Sequence, residues 1–272
     1  MKELILDNTM LSAWDTCPTK YYWRHIRNLV SLDDTSAALN FGTAIHKALE
    51  TLYKQNNISD AIAELKPIID AGPTDSKRNL ENGIRIMLGY HERWFPERFK
   101  IVQVEIPISW ELSSDLMYCG RLDTLVEWDG VTYILEHKTS SNLTMFCAQP
   151  NHQITGYVYG ARVLGYNVPG AIVNLLGVYS PNTKKQPGEL FARVITMRGE
   201  WELEDWRHHV LSVAERIRQA LDANYFERAT VGCNFCPYKK LCTSSPDVVE
   251  AVATQYYHER PWEPWKHETE GA

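Results

Sequence analysis

Nowhere in the 272 residues do eighteen apolar residues run together, so the sequence offers no membrane-spanning helix. The first residues, Met1-Lys2-Glu3-Leu4-Ile5-Leu6-Asp7, lack the apolar run of a secretory signal, and the expected compartment is the cytoplasm. No internal repeat or low-complexity tract is present. There is no Gly-x4-Gly-Lys-Ser/Thr loop, so the chain carries no helicase motor of its own. An excess of positive charge is also missing: 28 Lys and Arg against 34 Asp and Glu leave a net charge of −6. Taken alone, that weighs against a phosphate-rich partner, although local patches and cation-holding carboxylates can reverse it. Lys20, Arg24 and Arg27, Lys184-Lys185 and Lys239-Lys240 are such patches, and a solvated surface would produce them equally well. Cysteines number only six, and in a reducing compartment clustered ones point to metal binding or catalysis rather than disulfides.

The periodicity predicts helices over 9–28 (interrupted near Pro18), 41–55 and 58–98 (broken at Ala71-Gly72-Pro73). The period then changes. From Val102 to Ile108 every even position is apolar, which predicts a half-buried strand with Glu105 turned away from the apolar face. Strands over 116–128 and 131–138, a helix at 149–165, strands at 170–179 and 189–197, and a helix over 200–222 complete the pattern. The tail from 246, with Pro261-Trp262-Glu263-Pro264-Trp265, reads as a docked or partly disordered end.

The most informative stretch is Gly120 to Lys138. Asp129-Gly130 between two β-rich runs predicts a two-residue hairpin turn. Trp128 then pairs with Val131, so Asp123 faces Glu136, while Lys138 shares that face opposite Arg121. Opposed side chains bring their Cβ atoms to roughly 4.5–5.5 Å, where like charges repel. Half-buried carboxylates so placed need a shared proton or a cation, and a hard ion such as Mg2+ or Mn2+ suits an all-oxygen pair. With a lysine alongside, that is the equipment of phosphodiester hydrolysis. The blander reading is a solvent-facing strand surface whose charges alternate with Leu122, Val126, Tyr133 and Leu135.

Cys233-x-x-Cys236 and Cys242 form a second constellation. Three thiolates leave a four-ligand site one short, and the remaining cysteines are Cys17, Cys119 and Cys147. Cys17-Pro18 echoes Cys236-Pro237. Composition leaves zinc and a [4Fe–4S] cluster both open.

Gly120-x-x-Asp123, Glu136-x-Lys138 and Gln153-x-x-x-Tyr157, taken in order, resemble the motif series of RecB-like nucleases in the PD-(D/E)XK superfamily, which includes the Cas4 proteins. Phe41-Gly42-Thr43-Ala44-Ile45-His46 is similar to the upstream helix that gives this family a metal-binding histidine. The resemblance implies an α/β fold, a central mixed sheet flanked by helices, with Asp123, Glu136 and Lys138 catalytic. It implies that His46, Asp123, Glu136 and the backbone carbonyl of His137 hold Mg2+ or Mn2+, and that Gln153 and Tyr157 contact DNA or Lys138. One remote N-terminal cysteine followed by Cys-x2-Cys-x5-Cys is likewise similar to the iron–sulfur staple of Cas4-like nucleases. It implies a [4Fe–4S] cluster on Cys17, Cys233, Cys236 and Cys242. Such a link across the chain would be worth roughly 4–5 kcal/mol by analogy with a cross-link. Cys119 and Cys147 read as small core residues.

The expected organisation is a single nuclease domain over 1–272. Within it, 1–30 and 225–245 form a helical iron–sulfur subdomain, 41–100 is helical, 101–222 is the catalytic core and 246–272 is a tail. The expected function is metal-dependent exonuclease action on DNA, single-stranded or with frayed ends. A Cas4-like end-processing subunit and a non-catalytic DNA-binding scaffold are the alternatives; retention of Asp123, Glu136 and Lys138 disfavours the latter. A homo-oligomer, recombination- or CRISPR-type partner proteins, and RNA as substrate all stay open.

Overall fold

The computed structural model describes residues 3–32, 36–185 and 189–264 and divides the chain into two compact units. Among the described residues, one comprises 36–110, 120–185 and 189–206. The other comprises 3–32, 111–119 and 207–264.

In the first chain segment, strand β1 (Leu4–Leu6) precedes helix α1 (Asn8–Thr16), which Asp7 caps by accepting the Met10 N–H at 2.7 Å. Cys17 is extended, and Pro18 opens the short helix α2 (Pro18–Tyr21), where its missing N–H costs nothing. A π-turn (Tyr22–Ile26) and strand β2 (Leu29–Ser31) follow.

The larger unit begins with α3 (Ala37–Gln55), whose buried stripe Phe41, Ala44, Ile45, Ala48, Leu49 and Leu52 keeps helical spacing. Helices α4 (Ile58–Ala63), α5 (Leu65–Ala71) and α6 (Leu80–Trp94) replace the predicted 58–98 stretch. Strands β3 (Lys100–Ser113), β4 (Leu116–Trp128) and β5 (Val131–Ser140) come next, then α7 (His152–Val163), β6 (Gly170–Gly177), β7 (Phe191–Met197) and α8 (Glu200–Asp222). The sheet runs β4–β5–β6–β7 with β3 also on β4. It is mixed: β4–β5 and β6–β7 are antiparallel, whereas β5–β6 are parallel, joined by a crossover through α7. β6 is buried along its whole length, as the near-continuous apolar run Ala171-Ile172-Val173 and Leu175-Leu176 requires of a central strand.

One face of this sheet, carrying Val126, Leu135, Ile172 and Leu176, packs against α3 and α6. Helix α7 is held closely through two glycines one turn apart. A Cβ on Gly156 would lie 2.7 Å from Trp206, and one on Gly160 would lie 2.3 Å from Trp110. Trp94 and Phe95 are partly buried against the α3–α6 core.

The smaller unit pairs β1 parallel with Leu116–Tyr118 at the start of β4. Helices α9 (Lys239–Thr243) and α10 (Val249–Tyr256) lead to strand β8 (Tyr257–Glu259), which pairs antiparallel with β2. The tail is thus folded as far as it is described, with Trp262 Nε1 donating to Asp7 at 2.8 Å; Trp265 lies outside the described residues. The N-terminal cations are not a free basic patch. Arg27 holds Glu250 through two bonds of 2.9 and 2.8 Å, and Arg24 lies over the Trp262 ring.

Candidate active site

The hairpin turn is as the sequence predicts. Asp129 and Gly130 both take left-handed conformations, φ 51° and 79°, which match the twist of the flanking strands. Pairing runs from Trp128↔Val131 to Thr124↔Leu135 in the predicted register. The paired register ends one step before Asp123 and Glu136. There the Asp123 side chain accepts the His137 backbone N–H at 2.7 Å, so a carboxylate occupies the widening gap between β4 and β5. Arg121 pairs with Glu105 at 3.1 Å.

Around that gap the structure gathers several of the predicted residues. His46, on the buried-striped helix α3, places Nδ1 3.4 Å from Asp123 Oδ1. Gly42, one turn earlier, faces β5: a Cβ there would lie in ordinary contact with the Thr139 hydroxyl, at 3.5 Å. Lys138 Nζ donates to Glu136 Oε1 at 2.7 Å. Glu136 is 2% exposed, and its other oxygen, Oε2, has no hydrogen-bond partner among the described residues. An unpaired carboxylate oxygen at that depth is expensive, and an oxygen-seeking cation would satisfy it.

The protonation balance follows from burial and charge. Burial first, then the Asp123 carboxylate, push the Glu136 carboxyl up to about 7 against the pull of Lys138. Burial acts on Asp123 in the same sense, but His46 outweighs it, and Asp123 stays well below the ordinary carboxylate range. Burial would lower His46 and Lys138, yet the carboxylates they face hold both above their ordinary values. His137 is the opposite case, lowered to about 3 chiefly by burial. Two neighbouring carboxylates thus have their proton affinities driven apart, Glu136 up and Asp123 down.

Glu105 belongs to the same electrostatic neighbourhood. Its backbone is left-handed, φ 54°, inside β3, a strained conformation for a non-glycine residue that breaks the strand's alternation. In consequence Val102 is exposed rather than on the apolar face. Burial, then the Asp123 charge, raise the Glu105 carboxyl to about 7 despite Arg121.

Gln153 and Tyr157 lie one turn apart on α7, and Gln153 Nε2 donates to the Tyr157 hydroxyl at 3.0 Å. Gly120 earns its place in the motif sterically, since a Cβ there would meet the Tyr157 ring at 3.0 Å. The sequence missed the buried polar row beside His137, formed by Asn174, Arg193, Glu97, Tyr53 and Tyr90. Its members are dispersed along the chain, and the one signal was Asn174 inside an apolar run.

The cysteines of the smaller unit converge on one loop. Cys17 Sγ accepts the Ala229 N–H at 3.4 Å, and Cys233 Sγ donates to the Ala229 carbonyl at 3.4 Å. Burial raises the Cys242 thiol, with Cys236 and Cys17 close enough to add to the effect. Among the described residues, however, no three of these sulfurs lie within 4.8 Å of one another, and neither do the donor atoms of Asp123, Glu136 and His46. Cys119 is buried as expected, whereas Cys147 is exposed, because its loop ends in Gln149-Pro150 at the surface.

A family model described as the PD-(D/E)XK nuclease superfamily matches residues 8–243. No curated protein matches the sequence. Among solved structures, a protein from Eubacterium rectale provisionally named an exonuclease superposes with a TM-score of 0.52 at 12% identity. That match covers 89% of this chain and 92% of the other, and at such identity it speaks for the fold. The structure of SSO0001 aligns at 15% identity over 86% of this chain and 95% of that one, with a TM-score of 0.33, too loose to argue from.

Proposed function

The chain belongs to the PD-(D/E)XK nuclease superfamily, whose members use divalent metals, and from that membership we propose a Mg2+- or Mn2+-dependent deoxyribonuclease acting on DNA ends. The observation that carries the proposal is Glu136. It is a deeply buried carboxylate with one oxygen unpartnered, its neighbour Asp123 ionised, and an ammonium group at 2.7 Å. The donor set is mostly hard oxygen, two carboxylates and a main-chain carbonyl beside one borderline imidazole, which fits Mg2+ or Mn2+.

Asp123, Glu136, His46 and the His137 carbonyl would hold the ion. Bound there, it would polarise an attacking water and neutralise charge on the phosphate. Lys138, partly buried beside a fully buried Glu136, keeps its proton and can orient the water or stabilise the charge that grows on the phosphoryl oxygens. Gln153 and Tyr157, bonded to each other, would brace Lys138 or the DNA strand. The experiment is digestion of end-labelled linear and circular DNA, single- and double-stranded, with Mn2+. Linear single strands should shorten fastest. Equal cutting of circular single strands would overturn action at ends.

The RecB-like and Cas4-like affinity of the proposal extends to the cysteines. Cys17, Cys233, Cys236 and Cys242 would hold a [4Fe–4S] cluster tying residues 1–30 to 225–245. The Ala229 N–H on Cys17 supports it, since such bonds stabilise cluster thiolates. Protein purified without oxygen should be brown, absorb at about 400 nm and carry about four irons per chain, and Cys17→Ser should abolish all three. A colourless protein with stoichiometric zinc would contradict this.

A further inference from the structure

Three polar side chains stand in register across neighbouring strands of the larger unit. His137 on β5 pairs with Asn174 on β6, and Asn174 pairs with Arg193 on β7. They form a connected row inside an otherwise apolar core. Asn174 bridges His137 Nδ1 at 2.8 Å and Arg193 Nε at 3.2 Å, and it donates to the Tyr90 hydroxyl at 2.8 Å. Asn174 is fully buried and His137 is 3% exposed. Arg193 closes the row with a Glu97 ion pair and lies 4.0 Å above the Trp94 ring. Tyr53, from the same helix as His46, stacks on the His137 imidazole at 5.4 Å.

Orientation within the row is determined by chemistry. A guanidinium can only donate, so Asn174 must turn its oxygen to Arg193 and its amide N–H groups to Tyr90 and His137. His137 Nδ1 is then an acceptor, which places the ring proton on Nε2. Apart from His137 Nε2, which has no hydrogen-bond partner among the described residues, the polar groups of the row are bonded to one another, and losing such a buried contact is costly. The main chain of that same residue 137 binds Asp123 through its N–H and, in the function proposed above, offers its carbonyl to the metal.

We propose that Asn174 is a positioning residue of the metal site. Clamped by Arg193, it fixes the His137 side chain on one face of β5 and thereby sets where the main chain of residue 137 meets Asp123 and the ion. This inference rests on the metal-site reading and deepens it. Partners of this kind, one step behind the ligands, typically change metal affinity by about 10- to 100-fold when removed.

The test is Mn2+ titration, with free Mn2+ read by electron paramagnetic resonance, on wild type and four variants whose folding is checked by thermal denaturation. Asn174→Leu removes the contact to His137. Asn174→Asp keeps the shape and the Arg193 contact but replaces the donor facing His137. Tyr90→Phe removes a hydroxyl from the same core while leaving His137 its partner. Glu136→Ala removes a proposed ligand. We expect both Asn174 variants to weaken Mn2+ binding tenfold or more, Tyr90→Phe to change it less than about threefold, and Glu136→Ala to abolish it. Asn174 variants that bind like wild type, or no more weakly than Tyr90→Phe, would overturn the role of Asn174 while leaving the site intact. Should Asn174→Leu fail to fold, Asn174→Asp decides alone. Unchanged binding by Glu136→Ala would instead remove the metal site on which the inference stands.

Discussion

Lys138→Ala is expected to slow DNA cleavage on the order of a thousandfold while Mn2+ still binds, whereas Glu136→Ala loses both. The two residues touch at 2.7 Å, yet the geometry gives them different tasks. Glu136 is buried and has an oxygen to spare, the profile of a ligand; Lys138 is only partly buried, the profile of a group that meets substrate. Lys138→Arg should rescue little, because a planar fork does not replace a compact ammonium beside a buried carboxylate. Rates and Mn2+ affinities measured on the same preparations check this. Loss of metal binding in Lys138→Ala would make the lysine a structural counter-ion, and full activity in Glu136→Ala would place the chemistry elsewhere.

A second expectation concerns stability without metal. A carboxyl raised from 4.5 to about 7 binds its proton more tightly in the folded state, so its contribution to stability is greatest below pH 4.5, falls between pH 4.5 and 7, and is flat above. Glu136→Gln keeps the shape and removes the charge. Its advantage over wild type should therefore be near zero at pH 4 and full at pH 8. An upper limit is about 3 kcal/mol, the Lys138 attraction already included, and relaxation and water penetration around a buried charge reduce it to about 1–2. That corresponds to a melting temperature roughly 3–6 °C higher at pH 8 in chelator. Saturating Mn2+ should reverse the order, stabilising wild type and not the variant. A destabilised Glu136→Gln at pH 8, or a difference that does not vary with pH, would show that Glu136 is a structural carboxylate rather than one strained toward a cation.

Which features were legible in the sequence follows from the range of the forces that set them. The hairpin was readable because Asp129-Gly130 is a local backbone instruction, and one turn fixes every pair up to Thr124↔Leu135. Helix α3 was readable from its stripe, and α8 from its length. What happens at Asp123 was not, because a side chain there takes over a hydrogen bond that strand pairing would have used, a choice made by His46 and His137 together. The left-handed backbone at Glu105 was equally hidden, since no glycine marks it. The β8 strand was missed because its partner β2 lies more than two hundred residues away, and a three-residue strand has no period to read. The polar row from His137 to Glu97 depends on the register of β5, β6 and β7 at once. No window of sequence contains it.

The measurement that bears most directly on the central claim is anomalous diffraction from a crystal of this protein soaked in Mn2+. A single Mn2+ peak within bonding distance of both Asp123 and Glu136, with Lys138 alongside, is the expected result. A peak at some other cluster, with Glu136 still bonded only to Lys138, would contradict it.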